Sequence, residues 1–168
     1  MRISNYGMTL IMVSITVALG GVAISTSITP STVFANHEFA ANLTGQQEVP
    51  PVDTQAMGEA IFVPVLPANE TMDFYVHTTD IQGATAGHIH QGVQGQNGEV
   101  IVPLFNFDTP QDMVSENGTI TAEMFAGPME GMTIADLLTA MKAGNTYVNI
   151  HTEKNPNGEI RGQLVDIP

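Results

Sequence analysis

Cysteine and tryptophan are both absent from the 168 residues, aromatic residues make up 6%, and only four lysines and arginines stand against 17 acidic residues. Without cysteine the chain can form no disulfide framework, no thiolate metal site and no cysteine nucleophile, so its stability and any ligand chemistry rest on packing, oxygen atoms and imidazole. Four cations within a formal net charge of −13 leave no footprint for a phosphate backbone, and nucleic acid is not an expected partner. Charge as a whole is sparse: 12% of residues are charged and 43% hydrophobic, so the acidity is not that of a disordered tail and a packed core is expected. No Walker loop, nucleophile elbow, Gly-x-Gly-x-x-Gly or EF-hand loop occurs, and the aspartates are too scattered to indicate a dedicated calcium site. Five histidines remain as the residues with chemistry to offer.

Residues 1–35 have the pattern of a signal peptide. Arg2 is the sole charge, an apolar run of 17 residues extends from Met8 to Ile24, and Val33-Phe34-Ala35 supplies a small-x-Ala site before Asn36. A run of that length also leaves an N-terminal anchor open, with any membrane contact confined to residues 8–24. Cleavage leaves 133 residues carrying 3 basic and 17 acidic side chains, a net charge of −14, which suits one secreted or cell-surface domain, 36–168, with a core of its own. An exported domain without disulfides points to a prokaryotic source.

From His37 onward the hydrophobic pattern has period two and is broken by Gly, Pro and Asn, as in short antiparallel strands. The expected strands are 38–43, 58–65, 71–78, 84–90, 99–105, 118–125, 146–152 and 159–165, and Pro50, Pro51, Pro67 and Pro110 are expected between them. About eight strands at this spacing make an all-β sandwich or barrel. One segment differs: Ile134, Leu137, Leu138 and Met141 recur at helical spacing, with Thr133 and Asp136 placed as a capping pair and Gly144 just beyond. A single short helix over about 133–142 follows, its apolar stripe turned to the core.

Two stretches resemble each other. Ile89-His90, six residues and Asn97-Gly98-Glu99-Val100 match Ile150-His151, five residues and Asn157-Gly158-Glu159-Ile160. Each reads as a strand ending in histidine, a turn and a returning strand. His88 and His90, two apart on one strand, leave the same face with backbones about 6.6 Å apart, and His151 shares a face with Tyr147 and Asn149. If the hairpins meet, the three imidazoles form an open metal site suited to zinc or copper, with ligand nitrogens about 3 to 4 Å from one another. Hydrogen-bonded structural histidines are the other reading of the same spacing. His37 and His77 lack it. Arg161 either draws a small anion toward the imidazoles or pairs with Glu99 or Glu159 across a hairpin. Sequons at Asn42, Asn69 and Asn117 mark glycosylation sites in an organism that reads them.

Ala86-Gly87-His88-Ile89-His90, the run Tyr147-Val148-Asn149-Ile150-His151-Thr152, and Asn155-Pro156-Asn157-Gly158-Glu159-Ile160-Arg161-Gly162-Gln163-Leu164 resemble a CHRD domain, the chordin-type module. Phe39-Ala40-Ala41-Asn42-Leu43-Thr44-Gly45 leading to Glu48-Val49-Pro50-Pro51 fits as well, so the likeness spans about residues 38–166. It implies an all-β extracellular module and no particular activity. A more local likeness is to the copper site of copper-zinc superoxide dismutase, where a His-x-His strand and a later histidine strand bind copper and an arginine guides the anion. The chain departs from that pattern in having no histidine between His90 and His151 and no disulfide. That likeness implies a Greek-key-like antiparallel β-sandwich and copper at His88, His90 and His151.

Three functions stand at this point. One is an exported module, not an enzyme, that binds an extracellular protein or surface polymer and holds one metal ion at the three histidines. The second is a copper-dependent, superoxide dismutase-like enzyme of oxidative defence. The third is a purely structural surface domain.

Overall fold

The computed structural model describes residues 38–65 and 70–167. The expected signal peptide or anchor at 1–35, His37 and the sequon asparagine Asn69 lie outside the described residues. Among the described residues no helix is long and apolar enough to cross a membrane.

Among the described residues nine strands and one α-helix follow one another as β1 (Glu38–Thr44), β2 (Met57–Pro64), β3 (Thr71–Thr79), β4 (Ala84–Gln91), β5 (Val100–Gln111), β6 (Ser115–Thr121), α1 (Ile134–Lys142), β7 (Thr146–Thr152), β8 (Ile160–Gln163) and β9 (Val165–Ile167). They make one antiparallel sheet in the order β5-β4-β7-β8-β1-β2-β3-β6, with β9 also paired to β1. The two ends of this path, β5 and β6, touch each other, so the sheet curls round a single core in the manner of a Greek-key-like sandwich.

The core forms where alternation requires it. Phe39, Ala41 and Leu43 of β1, Ala60 and Phe62 of β2, Met72, Phe74 and Val76 of β3, and Ile89 of β4 all face inward and are buried. The helix contributes Ile134, Leu137, Leu138 and Met141 to the same cluster. Full burial of each such side chain is worth roughly 1.5 to 3 kcal/mol, which outweighs the weak intrinsic stability of a nine-residue helix. Its start is set by Thr133, whose Oγ1 accepts from the Asp136 amide at 3.3 Å while the Asp136 carboxylate accepts from the Thr133 amide at 2.9 Å.

Three differences from the sequence reading have clear causes. The last expected strand divides at Leu164, whose amide still donates to the Thr146 carbonyl of β7; β8 lies between β7 and β1, whereas β9 pairs with β1 alone. β5 runs through Pro103 and Pro110 because it ends the sheet and pairs on one side only, with β4, where a missing backbone donor is tolerated. β6 starts at Ser115, opposite His77 of β3, and stops at Thr121, opposite Thr71.

Candidate metal centre

The site follows from strand register. β4 and β7 pair so that Ala86 faces His151, His88 faces Asn149 and His90 faces Tyr147. On β8, Arg161 faces Asn149 and Gln163 faces Tyr147. Partners in register point to the same side of a sheet, and the intervening Ile89, Val148, Ile150 and Ile160 fill the core. His88, His90, Tyr147, Asn149, His151, Arg161 and Gln163 therefore share the opposite face of three neighbouring strands. This face is polar yet not open. Tyr147, Asn149 and Arg161 are 2%, 3% and 1% exposed, because the segments 45–56, 92–99 and 153–159 fold over it.

The three histidines that share the hairpin pattern come together. Ring centroids are 4.8 Å apart for His88 and His151, 5.7 Å for His90 and His151, and 5.8 Å for His88 and His90. One nitrogen from each ring makes a set lying within 4.8 Å of one another. That bound is wider than the 3 to 4 Å expected from sequence; an ion about 2.0 to 2.1 Å from each nitrogen requires the rings to draw in slightly.

Hydrogen bonding fixes what these nitrogens offer. His90 Nδ1 is 3.0 Å from the Gly98 carbonyl and His151 Nδ1 is 3.0 Å from the Pro156 carbonyl. A carbonyl only accepts, so each Nδ1 carries the proton and each neutral ring presents a lone pair at Nε2. Both Nε2 atoms are buried without a partner, and so is His88 Nδ1. Two buried acceptors with nothing to accept from, beside a third buried ring nitrogen without a partner, are costly alone. Imidazoles anchored through their second nitrogen to backbone carbonyls are the arrangement by which histidine ligands are oriented toward a metal.

The electrostatics keep the rings neutral. Burial pulls His88 down to about 4, and His151 and His90 push in the same direction. Burial also lowers His90, against its bond to Gly98 and with help from His151 and Arg161, and lowers His151 against its bond to Pro156. Neutral imidazoles are the form a metal binds. The donors are all nitrogen, which suits zinc and copper rather than calcium or magnesium. With three protein ligands, a tetrahedral ion keeps one position free.

Arg161 does not pair with Glu99 or Glu159. Its guanidinium lies 3.4 Å over the Tyr147 ring and donates to Asn97 Oδ1 at 3.0 Å, the Gln96 carbonyl at 2.8 Å and the Val93 carbonyl at 3.3 Å. Glu159 instead accepts from Thr54, Thr152 and Asn155 at 2.8, 2.7 and 3.0 Å. Burial opposes its charge, yet these bonds, aided by Lys154, hold its carboxyl below the usual range. Burial lowers Arg161, opposed by Tyr147 and by the charge of Glu48; Glu48 also receives a long 3.5 Å contact from Asn149 Nδ2. Burial pushes Glu48 up to about 7 despite Arg161 and Asn149.

Glu48, Tyr147 and Gly98 were not singled out as site residues from sequence. Glu48 is separated from Asn149 by 101 positions, and no local pattern relates them. His77, Asn42 and Asn117 are exposed. Asp53, Asp80, Asp112 and Glu153, scattered along the chain, line an open cleft of about 620 Å³ together with Lys154 and Glu159.

An antiparallel β-sandwich whose polar face carries a triad of one buried and two half-buried histidines is thus the class of protein that this fold and site define. Residues 39–164 match the family model of the CHRD domain, and the chain belongs to that family. A search of curated proteins and a search of solved structures each gave no match.

Proposed function

We propose that this chain is an exported CHRD module that holds one zinc or copper ion through His88 Nδ1, His90 Nε2 and His151 Nε2, and that it serves as a binding module of the cell surface. One observation carries the metal reading: these three nitrogens are buried without a hydrogen-bond partner on rings that bring one nitrogen each within 4.8 Å of one another, while carbonyls hold two of the rings by their other nitrogen. The N-terminal pattern of one arginine, an apolar run and a small-x-Ala site supports export. An extracellular protein or surface polymer is the partner this location offers. Asn42 and Asn117, both exposed, are available for glycosylation.

Metal content and titration test the reading. Purified protein is expected to bind one equivalent of zinc or copper, and the His88→Ala/His90→Ala double variant none at the same concentration; substoichiometric binding by the wild type would sink the metal site. N-terminal sequencing of the exported protein is expected to begin at Asn36, and recovery of an intact Met1 in membranes would replace the signal peptide by an anchor.

The free coordination position favours a second reading, a copper enzyme of oxidative defence, but without the expected anion guidance by Arg161, which is buried and bonded to Asn97 and the Val93 and Gln96 carbonyls. Copper-loaded protein that consumes superoxide faster than the double variant would support it; equal rates leave the binding module.

A further inference from the structure

The roof over the triad is fastened by groups that are not ligands, and it delivers one carbonyl to one of the ligands. Segment 92–99 joins β4 to β5. Arg161 grips it at Val93, Gln96 and Asn97. At the far end the Gly98 amide donates to the Tyr147 hydroxyl at 3.1 Å. The carbonyl of that same glycine accepts from His90 Nδ1. The Tyr147 ring also stacks on His90, with centroids 5.0 Å apart and planes 13° from parallel, and bears the Arg161 guanidinium. A side chain at 98 is barred, since its Cβ would fall onto the Gln91 carbonyl.

We infer that Arg161 and Tyr147 are positioning residues for His90: by pinning segment 93–98 they set the Gly98 carbonyl against Nδ1 and so direct the Nε2 lone pair of His90 into the triad. The assignment rests on the metal reading above for its purpose, but the geometry it describes exists without the ion. Arg161 is suited to the task because its planar fork reaches several acceptors at once, which a lysine ammonium on a flexible stem cannot reproduce. It reaches three here. His151 supplies an internal control: its Nδ1 is held by Pro156, in the separate segment 153–159, and by neither Arg161 nor Tyr147.

The test is imidazole nitrogen NMR on the metal-free protein above the pH range of histidine titration, paired with zinc titration. In the wild type, His90 and His151 should each show a single tautomer protonated at Nδ1. In Arg161→Gln and in Tyr147→Phe, His90 should become a mixture of tautomers while His151 is unchanged, and zinc affinity should fall about 10 to 100-fold. Arg161→Lys should not restore the wild-type spectrum. If Arg161→Gln fails to fold, Tyr147→Phe and Asn97→Ala carry the test, since each removes one fastening and leaves the buried cation in place. An unchanged His90 tautomer in the folded variants overturns the inference, as does equal loss of order at His151, which would indicate general loosening. If the wild type binds neither zinc nor copper, the metal reading falls, and the tautomer result still decides whether Arg161 and Tyr147 position His90.

Discussion

His88 and His151 lie against each other with ring centroids 4.8 Å apart, although neither is the other's cross-strand partner. His88 faces Asn149, and His151 faces Ala86. The rings meet on the diagonal, where long side chains of an antiparallel pair can still touch, and the small Ala86 leaves the space opposite His151 clear. A metal bound there ties β4 to β7 only in the folded state.

Zinc should therefore raise the unfolding temperature of the wild type. A ligand at about 100 times its dissociation constant contributes about 2.7 kcal/mol. His151→Ala should abolish the zinc-dependent gain and change the metal-free melting temperature little, because it also removes a buried nitrogen that has no partner. Thermal scans with zinc and with chelator check this, and an equal zinc-dependent rise in both proteins would count against the triad.

Glu48 makes stability depend on pH with a definite sign. Its carboxyl titrates near 7 in the folded chain against 4.5 ordinarily, so between those values the folded state holds the proton more tightly than the unfolded state. Its contribution is most favourable below pH 4.5 and is lost as pH rises through 7. Glu48→Gln should match the wild type near pH 4 and exceed it by roughly 1 to 3 kcal/mol at pH 8. The histidines act oppositely: their lowered values take stability away as pH falls below 6.5. Guanidinium titrations of both proteins at each pH isolate Glu48 by difference; a constant gap across the range would exclude it as the source.

Gly98→Ala should destabilise the protein by about 2 kcal/mol or more, since the new methyl meets a backbone carbonyl rather than a movable side chain. Gly95→Ala, in the same segment, meets no atom within 4 Å but has φ +79°, and should cost about 1 kcal/mol from strain alone. Denaturation midpoints of the two variants check the order, and a reversed order would contradict the packing described at Gly98.

Thr133→Ala removes the capping box at the start of α1 and should cost about 1 kcal/mol without altering zinc binding, because α1 supplies no ligand. A urea midpoint and a zinc titration on the same variant test both halves. A loss of zinc affinity would mean that the helix supports the site, a role the geometry does not give it.

Alternating residues in β1 to β4 and the helical spacing of Ile134, Leu137, Leu138 and Met141 are legible one segment at a time, because the period of side-chain direction is a local property. The placement of His88 beside His90 on one face belongs to that same local information, and the repeated Asn-Gly turns relate His90 to His151. The division at Leu164 and the extension of β5 through Pro110 are not local; they depend on which strand lies alongside.

The amino-acid sequence alone determined an all-β domain with one capped helix, the absence of thiol chemistry and the three histidines as the ligands to test, since each follows from composition or short-range period. Tertiary structure alone decided that β4 and β7 are neighbours in a register that gathers the imidazoles, and that Arg161 turns under a roof of backbone carbonyls and not toward Glu99 or Glu159. It also decided that Glu48 is buried against Asn149. These relations join residues as far as 101 positions apart, and no local periodicity encodes contacts made only when separate strands and loops close over one another.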